Sequence, residues 1–402
     1  MTDIGSDAWL TYHCHSLLDF GRRVVHPLGG AAWLDDAGLP DLTQPVHTWI
    51  TGRMAHVYSV GHLLGDPGSA RLADAMLDAL TGRLRDTVNG GWYSSITDDG
   101  TTPDEKACYA QAFVVLAAAS GSFAQRPGAR ELLDQALLEW NERFFDAEQR
   151  MFVDLWNRDF TQCDTYRGVN ANMHSVEALL ASYDATGDRL WLDRALGICQ
   201  RVALDFAEPH GWRIPEHFDP QWNPQLELNR DQPADPFKPY GATVGHGIEW
   251  ARLLLHVEAS LGSEAPGWIL PAAIALFDRA AADGWNVDGA EGFVYTTDWN
   301  GQAVVHDRMH WVAAESVNTA AVLHLRTGEE RFAALAQQWW MYINEYLIDH
   351  ELGSWHHQLD RDNLPIHTVW PGKPDLYHIV QATLIPRLPL SPGLASALAA
   401  RL

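Results

Sequence analysis

A histidine and a glutamate stand three residues apart in GHGIEWARLLL, the segment at residues 245–255, which is otherwise largely apolar. Residues three apart share one face of a helix, so His246 and Glu249 lie on the same side. An imidazole titrates near neutrality and can both accept and donate a proton, and a neighbouring carboxylate can orient it. The pair therefore predicts acid–base chemistry.

Histidine recurs near the start of five similar segments, at His56, His174, His246, His310 and His378. A Glu or Gln follows three positions later in the second, third and fifth of these segments. If these segments form the inner helices of a ring, their N-terminal turns all point to one mouth. Imidazoles and carboxylates would then converge on one pocket.

The elements that position these side chains repeat along the chain. Six short aromatic segments closed by turn residues recur at intervals of roughly sixty residues, at Trp33, Trp92, Phe152, Trp212, Phe293 and Trp355. Each is expected to form a small β-hairpin, with two helices between consecutive hairpins. One interval is longer because it contains DPQWNPQLELNRDQPADPFKP, at residues 219–239, which predicts an inserted loop.

Six helical hairpins can close into a ring of six inner and six outer helices, which buries the apolar face that each pair leaves open. The sequence thus predicts an all-α fold, an (α/α)6 barrel with short β-hairpins at one mouth. Residues 1–402 would form a single catalytic domain. An open helical solenoid is the alternative, but its last repeat would be a polar cap, whereas the last repeat here carries His378.

Composition excludes several classes of protein. The 402 residues are 47% hydrophobic, which is enough for a large core, and no apolar run reaches the length of a membrane helix. The N-terminus lacks the features of a signal peptide, and four scattered cysteines favour the reducing cytoplasm. The formal charge is −24 with scattered basic residues, which argues against nucleic acid as a partner.

Five motifs run from the first repeat to the last: TGRMAHVYSVG (51–61), NMHSVEALL (172–180), GHGIEWARLL (245–254), HDRMHWVAAESV (306–317) and DLYHIVQA (375–382). In combination they resemble the N-acylglucosamine 2-epimerase superfamily of sugar isomerases and epimerases over nearly the whole chain. The pattern is most similar to the branch of mannose and sulfoquinovose isomerases, which interconvert an aldose and its 2-ketose without a metal. The resemblance implies an active site with Arg53, His174, His246, Glu249, Glu315 and His378.

Moving a hydrogen from C2 of an open-chain aldose to C1 needs one base that returns the proton on the same face. We expect His378 to shuttle this proton and His246 to open the ring and protonate O1 or O5, and the two roles are interchangeable at this stage. Glu249 and Glu315 would orient the imidazoles or tune their charge, and Arg53 would stabilise the enediolate. Substrate contacts are expected from Trp311, Trp370, Asn172 and His310.

The expected reaction interconverts D-mannose and D-fructose, and also D-lyxose and D-xylulose, without a metal or other cofactor, in a monomer or homodimer. A sulfoquinovose isomerase or a sugar 2-epimerase is the alternative within the superfamily, although few cationic residues near the expected pocket could hold a sulfonate. A glycoside hydrolase would need two carboxylates about the glycosidic bond. A metal site is disfavoured because no HExxH occurs, and a non-enzymatic scaffold would not need converging imidazoles.

Overall fold

The computed structural model describes residues 3–401. Helices dominate these residues, and short strands lie between them. The α-helices are, in chain order, α1 (Asp7–Phe20), α2 (Thr48–Leu63), α3 (Ser69–Thr81), α4 (Cys108–Phe123), α5 (Ala129–Phe144), α6 (Val169–Thr186), α7 (Arg189–Gln200), α8 (Val244–Leu261), α9 (Ile269–Gly284), α10 (His310–Thr327), α11 (Glu330–Tyr342), α12 (Tyr377–Leu384) and α13 (Leu394–Ala399).

The strands have two or three residues each. They are β1 (Trp33–Leu34), β2 (Pro40–Asp41), β3 (Val46–His47), β4 (Ser95–Ile96), β5 (Glu105–Ala107), β6 (Phe145–Asp146), β7 (Met151–Phe152), β8 (Leu155–Asn157), β9 (Arg167–Gly168), β10 (His217–Phe218), β11 (Ala242–Thr243), β12 (Thr296–Thr297), β13 (Ala303–Val305), β14 (Arg308–Met309) and β15 (Gln358–Leu359). The aromatic segments of the repeat lie among these strands.

Two kinds of helix alternate along most of the chain. The helices α2, α4, α6, α8, α10 and α12 begin at the histidine-bearing or equivalent segments of the repeat and are buried around most of their circumference. The intervening helices are amphipathic: α5 buries only a stripe that includes Leu132, Leu133, Ala136 and Trp140. The predicted alternation of two helices in each repeat is confirmed.

The chain forms two compact units. Unit 1 contains the residues up to Ser16, Cys199–Gly372 and His378–Ser391, and unit 2 contains Leu17–Ile198, Lys373–Tyr377 and the residues from Pro392 onward. In unit 1, α8 packs against α9 and α10, and α10 packs against α11. In unit 2, α2 packs against α3 and α4, and α4 packs against α5 and α6.

The expected β-hairpin does not form in every repeat. Hairpins do form between β1 and β2, β6 and β7, and β12 and β13. Five other pairs, β3–β4, β5–β8, β9–β10, β11–β12 and β14–β15, join the strand before a buried helix to the next aromatic segment along the chain. These strands pair with a strand of the following repeat and not within one hairpin, so the hairpin prediction is wrong for them.

The segment 219–239 contains neither a helix nor a named strand and joins β10 to β11, as expected for an inserted loop. Within residues 3–401, no helix combines the length and apolar character needed to cross a membrane. The four cysteines form no disulfide among these residues.

Candidate active site

The predicted site residues divide between the two units. His246, Glu249, Glu315, His378, Trp311, Trp370 and His310 belong to unit 1, whereas Arg53, His174 and Asn172 belong to unit 2. In unit 1, His378, Glu315 and Glu249 belong to one connected polar group, described here from His378.

His378 is the second residue of α12, and its Nδ1 lies 2.9 Å from Glu315 Oε1 on α10. Both side chains are buried, and Glu315 has no exposed surface. A carboxylate at Nδ1 accepts the hydrogen of that nitrogen, so the neutral ring has its lone pair on Nε2. The expectation that Glu315 orients an imidazole agrees with this contact.

Arg252 lies on α8, three residues after Glu249, and connects Glu249 to Glu315. Its Nε donates to Glu315 Oε2 at 2.7 Å, and its Nη2 donates to Glu249 Oε1 at 3.3 Å. The guanidinium is only 2% exposed. A buried charge is tolerated when it is paired and hydrogen-bonded, and this arginine meets both conditions.

Glu249, Glu315 and His378 offer ligand atoms within 4.8 Å of one another, which is close enough to surround a metal ion. Two of the carboxylate oxygens already accept hydrogen bonds from Arg252. The guanidinium therefore supplies a positive charge among these donors. These side chains therefore suit the arginine that is already bonded to them better than a divalent metal ion.

His246 is the third residue of α8, and its Nδ1 lies 2.9 Å from Glu216 Oε2. Glu216 comes from the irregular segment just before β10 and is buried. Its neighbour His217 contacts the Pro239 carbonyl through Nε2 at 2.8 Å, and burial lowers the pKa of His217. His246 and Glu216 thus form a second imidazole–carboxylate pair.

Trp311 lies close to both histidines. Its ring centroid is 5.2 Å from that of His246 and 5.9 Å from that of His378. The close approach to α8 requires a residue without a side chain, because a Cβ on Gly245 would come within 2.4 Å of the Trp311 ring. An indole face here is suited to stack against a sugar ring.

Trp370 and His310 each contact a loop of unit 1. Trp370 makes an edge contact with Phe237 of the inserted loop, with ring centroids 5.2 Å apart. His310 is the first residue of α10 and stacks on His357 at 3.8 Å, with Nδ1 3.0 Å from the His357 carbonyl. His310 is therefore fixed by a neighbouring loop, and its predicted role in substrate binding stays a prediction.

In unit 2, Arg53 lies in an aromatic cage. Its Nη1 is 3.1 Å from Asp375 Oδ2, and its Nη2 donates to the Tyr109 hydroxyl at 2.8 Å. The guanidinium also lies over the rings of Phe113 and Tyr377, 4.6 and 4.8 Å from their centroids. These contacts hold a buried cation in one orientation.

His174 packs in the same cage, with its ring 5.2 Å from Tyr109 and 4.9 Å from Phe113. Its Nδ1 lies 4.0 Å from Glu177, which in turn accepts a hydrogen bond from the Tyr377 hydroxyl. The recurring spacing of three residues thus links His174 to a carboxylate in this unit also.

Asn172 has a structural role. Its amide donates to the carbonyls of Phe152 and Gly168, and its oxygen accepts the Phe152 N–H at 2.8 Å. Both amide hydrogens are used, and the side chain has no exposed surface. We therefore leave Asn172 out of the proposed substrate contacts.

His56 shows that the repeated histidine is not always available for chemistry. It is buried, its Nδ1 lies 2.7 Å from the Ser120 hydroxyl, and burial lowers its pKa to about 4. The ring stays neutral at physiological pH and serves packing.

The comparisons with known proteins identify the family of the chain. The family model of N-acylglucosamine 2-epimerase (GlcNAc 2-epimerase) matches residues 29–382. The chain belongs to the N-acylglucosamine 2-epimerase family. The family that the five motifs suggested is thereby confirmed.

Within the N-acylglucosamine 2-epimerase family, two curated relatives match nearly the full chain. A D-mannose isomerase of Thermobifida fusca is 50% identical over 394 residues, which are 98% of this chain and 97% of the relative. A D-mannose isomerase of Pseudomonas cannabina pv. alisalensis is 43% identical over 396 residues, which are 97% of this chain and 95% of the relative.

A crystal structure of a D-mannose isomerase matches with a TM-score of 0.89 and 26% identity, covering 95% of this chain and 97% of that one. The fold class is therefore that of the (α/α)6 barrel, as the sequence predicted.

Two residues of the candidate site, Arg252 and Glu216, were not predicted from the sequence. Arg252 continues the spacing of three from His246 through Glu249, so the same face of α8 could have suggested it. Glu216 lies outside any helix in a segment without periodicity, and no pattern in the sequence connects it to His246.

Proposed function

We propose that this protein is an aldose–ketose isomerase that interconverts D-mannose and D-fructose. The observation that carries the proposal is the pair of imidazole–carboxylate contacts, His378 with Glu315 and His246 with Glu216, both close to Trp311. Full-length relatives named D-mannose isomerase at 50% and 43% identity support the choice of sugar.

The reaction moves one hydrogen from C2 to C1 and one from O2 to O1. In the proposed mechanism, Nε2 of His378 removes the proton as the C2–H bond breaks, and the electron pair forms the enediolate. The imidazolium that results is stabilised by the Glu315 carboxylate 2.9 Å from Nδ1. The same nitrogen then delivers the proton to C1.

Oxygen protons need a second acid–base group. We assign this role to His246, which would open the pyranose ring by moving a proton between O1 and O5, and then serve the transfer from O2 to O1. Glu216 Oε2 lies 2.9 Å from its Nδ1 and would stabilise the protonated ring by its charge, without the hydrogen bond that joins His378 and Glu315. Trp311 would form the floor against which the sugar stacks.

Arg53, His174 and Glu249 stay in the proposed set because the family resemblance implies them. Arg53 would polarise the carbonyl oxygen and stabilise the enediolate, as buried and oriented guanidinium groups do. We further propose that the substrate is a free monosaccharide and that the protein works in the cytoplasm as a monomer or homodimer.

The test is isomerisation of mannose in D₂O, scored by NMR for fructose, glucose and deuterium at C1. Wild-type protein should form fructose with solvent deuterium at C1. His378→Ala and His246→Ala should each lower kcat by about 100-fold or more, because each removes a positioned acid–base group. His324→Ala, at the far end of α10, serves as the matched control and should keep wild-type activity.

The two histidines can be separated by the hydrogen that each moves. His378→Ala should abolish exchange at C1 and C2, whereas His246→Ala should retain part of that exchange with a sugar that is already in the open-chain form. If mannose is inert while sulfoquinovose reacts, or if glucose is the main product, the assignment moves to another activity of the family. Near-normal turnover of both alanine variants would refute the proposed site.

A further inference from the structure

The mechanism above gives Arg252 no role, yet it is among the most buried cations of unit 1. It lies on α8 and reaches two carboxylates on different helices, Glu249 on α8 and Glu315 on α10. Glu315 in turn contacts His378 on α12. The guanidinium is thus one residue removed from the proposed base.

The charges of this group explain why a cation is needed. Glu249 and Glu315 have oxygens within 4.8 Å of each other and lie almost entirely out of solvent. Without a cation, two such carboxylates repel, and one of them takes up a proton. With Arg252, the group carries one net negative charge when His378 is neutral and none when His378 is protonated.

Proton uptake by Glu315 would change the role of the neighbouring histidine. A carboxylate accepts the Nδ1 hydrogen of His378 and leaves the lone pair on Nε2, whereas a carboxylic acid can donate to Nδ1 and move the ring hydrogen to Nε2. A ring in that second tautomer cannot accept a proton at Nε2. Ionised Glu315 is therefore a condition for the proposed base.

We propose that Arg252 is a positioning residue that holds Glu249 and Glu315 as ionised carboxylates and so keeps His378 in the form that accepts a proton. The proposal rests on the proposed function, because it assigns Arg252 to the same proton transfer. The bridge requires the planar fork of arginine, since a lysine ammonium of similar reach is a single point charge and lacks this geometry.

The decisive experiment is chemical rescue of Arg252→Ala, which leaves space for a free guanidinium ion. We expect kcat with mannose to fall by about 100-fold, the cost of a misplaced catalytic group, while KM stays near the wild-type value because the proposal has Arg252 act through Glu249 and Glu315 and not on the sugar. Guanidinium chloride at millimolar concentration should restore kcat with saturation. Urea, which has the same planar shape without the charge, should not.

Two further variants separate positioning from folding. Arg252→Lys keeps the charge and should fold, with a kcat between those of the wild type and the alanine variant and an unchanged KM. Arg85→Ala is the matched control, because Arg85 also forms a partly buried ion pair, with Glu139 in unit 2. It should lower the melting temperature without a response of kcat to guanidinium.

Wild-type kcat in either Arg252 variant would overturn the proposal. A loss that guanidinium and urea restore equally, or that appears in KM alone, would overturn it too. The proposed function fails separately, if wild-type protein does not isomerise mannose. In that case the rescue is measured with whichever sugar of the panel the wild type converts.

Discussion

Gly245→Ala places a methyl group directly against the ring of Trp311, which lies close to both His246 and His378. The new Cβ would lie 2.4 Å from Trp311 Cζ3, 2.5 Å from Cη2 and 2.7 Å from a methyl carbon of Val312. Gly245 lies in the first turn of α8, and alanine is a better helix former than glycine. The backbone therefore tolerates the change, and the conflict is with Trp311.

The size of the effect follows from these distances. Ordinary van der Waals contact begins near 3.4 Å, so the indole ring must move by about 1 Å. A displacement of about 1 Å in a positioning group can cost about 100-fold in rate, and overpacking costs about 1–3 kcal/mol. The gain in helix propensity, about 1 kcal/mol, offsets part of the loss of stability. We expect kcat/KM for mannose to fall far more than stability does.

Initial rates of fructose formation and urea unfolding should be measured on the same preparations. Gly247→Ala is the matched control, because Gly247 lies on the same helix but its new Cβ would face Ala280 of α9 at 3.0 Å. That variant should show a small change of stability and wild-type kcat/KM. The double variant Gly245→Ala/Trp311→Phe relieves the overlap and should be more stable than the sum of the single changes predicts.

Wild-type kcat/KM in Gly245→Ala would show that the reaction does not depend on where Trp311 lies. An equal loss in Gly247→Ala would point to a shift of the whole helix. Either result would refute the reasoning that connects the position of the Trp311 ring to catalysis.

Replacing Lys106 by Met should lower the free energy of unfolding in urea by about 3 kcal/mol and leave kcat per folded molecule unchanged. The change removes the ammonium group 2.7 Å from the buried Asp86 carboxylate and leaves that charge unpaired. A variant as stable as the wild type would contradict this. Burial raises the pKa of the Asp184 carboxyl to about 6, although the Gly393 N–H donates to it. The folded-state pKa lies above the unfolded value of about 3.9, so the wild type loses stability as the pH rises from about 4 to about 6. Asp184→Asn keeps an acceptor oxygen and should gain up to about 2 kcal/mol relative to the wild type over that range in paired urea titrations, and a pH-independent difference would refute the assignment. Exhaustive EDTA treatment should leave activity intact, because Arg252 supplies the cation among Glu249, Glu315 and His378; a loss that only zinc, manganese or cobalt reverses would refute this.

Periodicity predicted the helices well because each buried helix starts with a similar segment. The helix that carries His246 and the one that carries His378 begin within a few residues of the expected positions. Strand pairing was harder to predict, because strands of two residues carry almost no pattern and their partners come from the next repeat. Register between repeats depends on packing rather than on local sequence.

The candidate site was predicted in part for a similar reason. Residues on a helix face follow a spacing that the sequence displays, which covers Glu249 and could have covered Arg252. Glu216 contacts His246 from an irregular segment, and only the fold brings the two together. Asn172 shows the opposite case, since it was an expected substrate contact, while in the structure its amide bonds to the backbone of Phe152.

Unit 2 is assembled from stretches made at very different times during translation. Arg53 and its partner Asp375 are 322 residues apart in sequence, and α13 packs against α2, α4 and α6. The ribosome therefore releases residues 17–198 long before the segments that complete their packing. Contacts between distant residues slow folding, and incompletely packed intermediates expose apolar surface that aggregates. Removing α13 would leave those apolar surfaces uncovered after synthesis is complete and would reduce the yield of folded protein without touching His378 or His246.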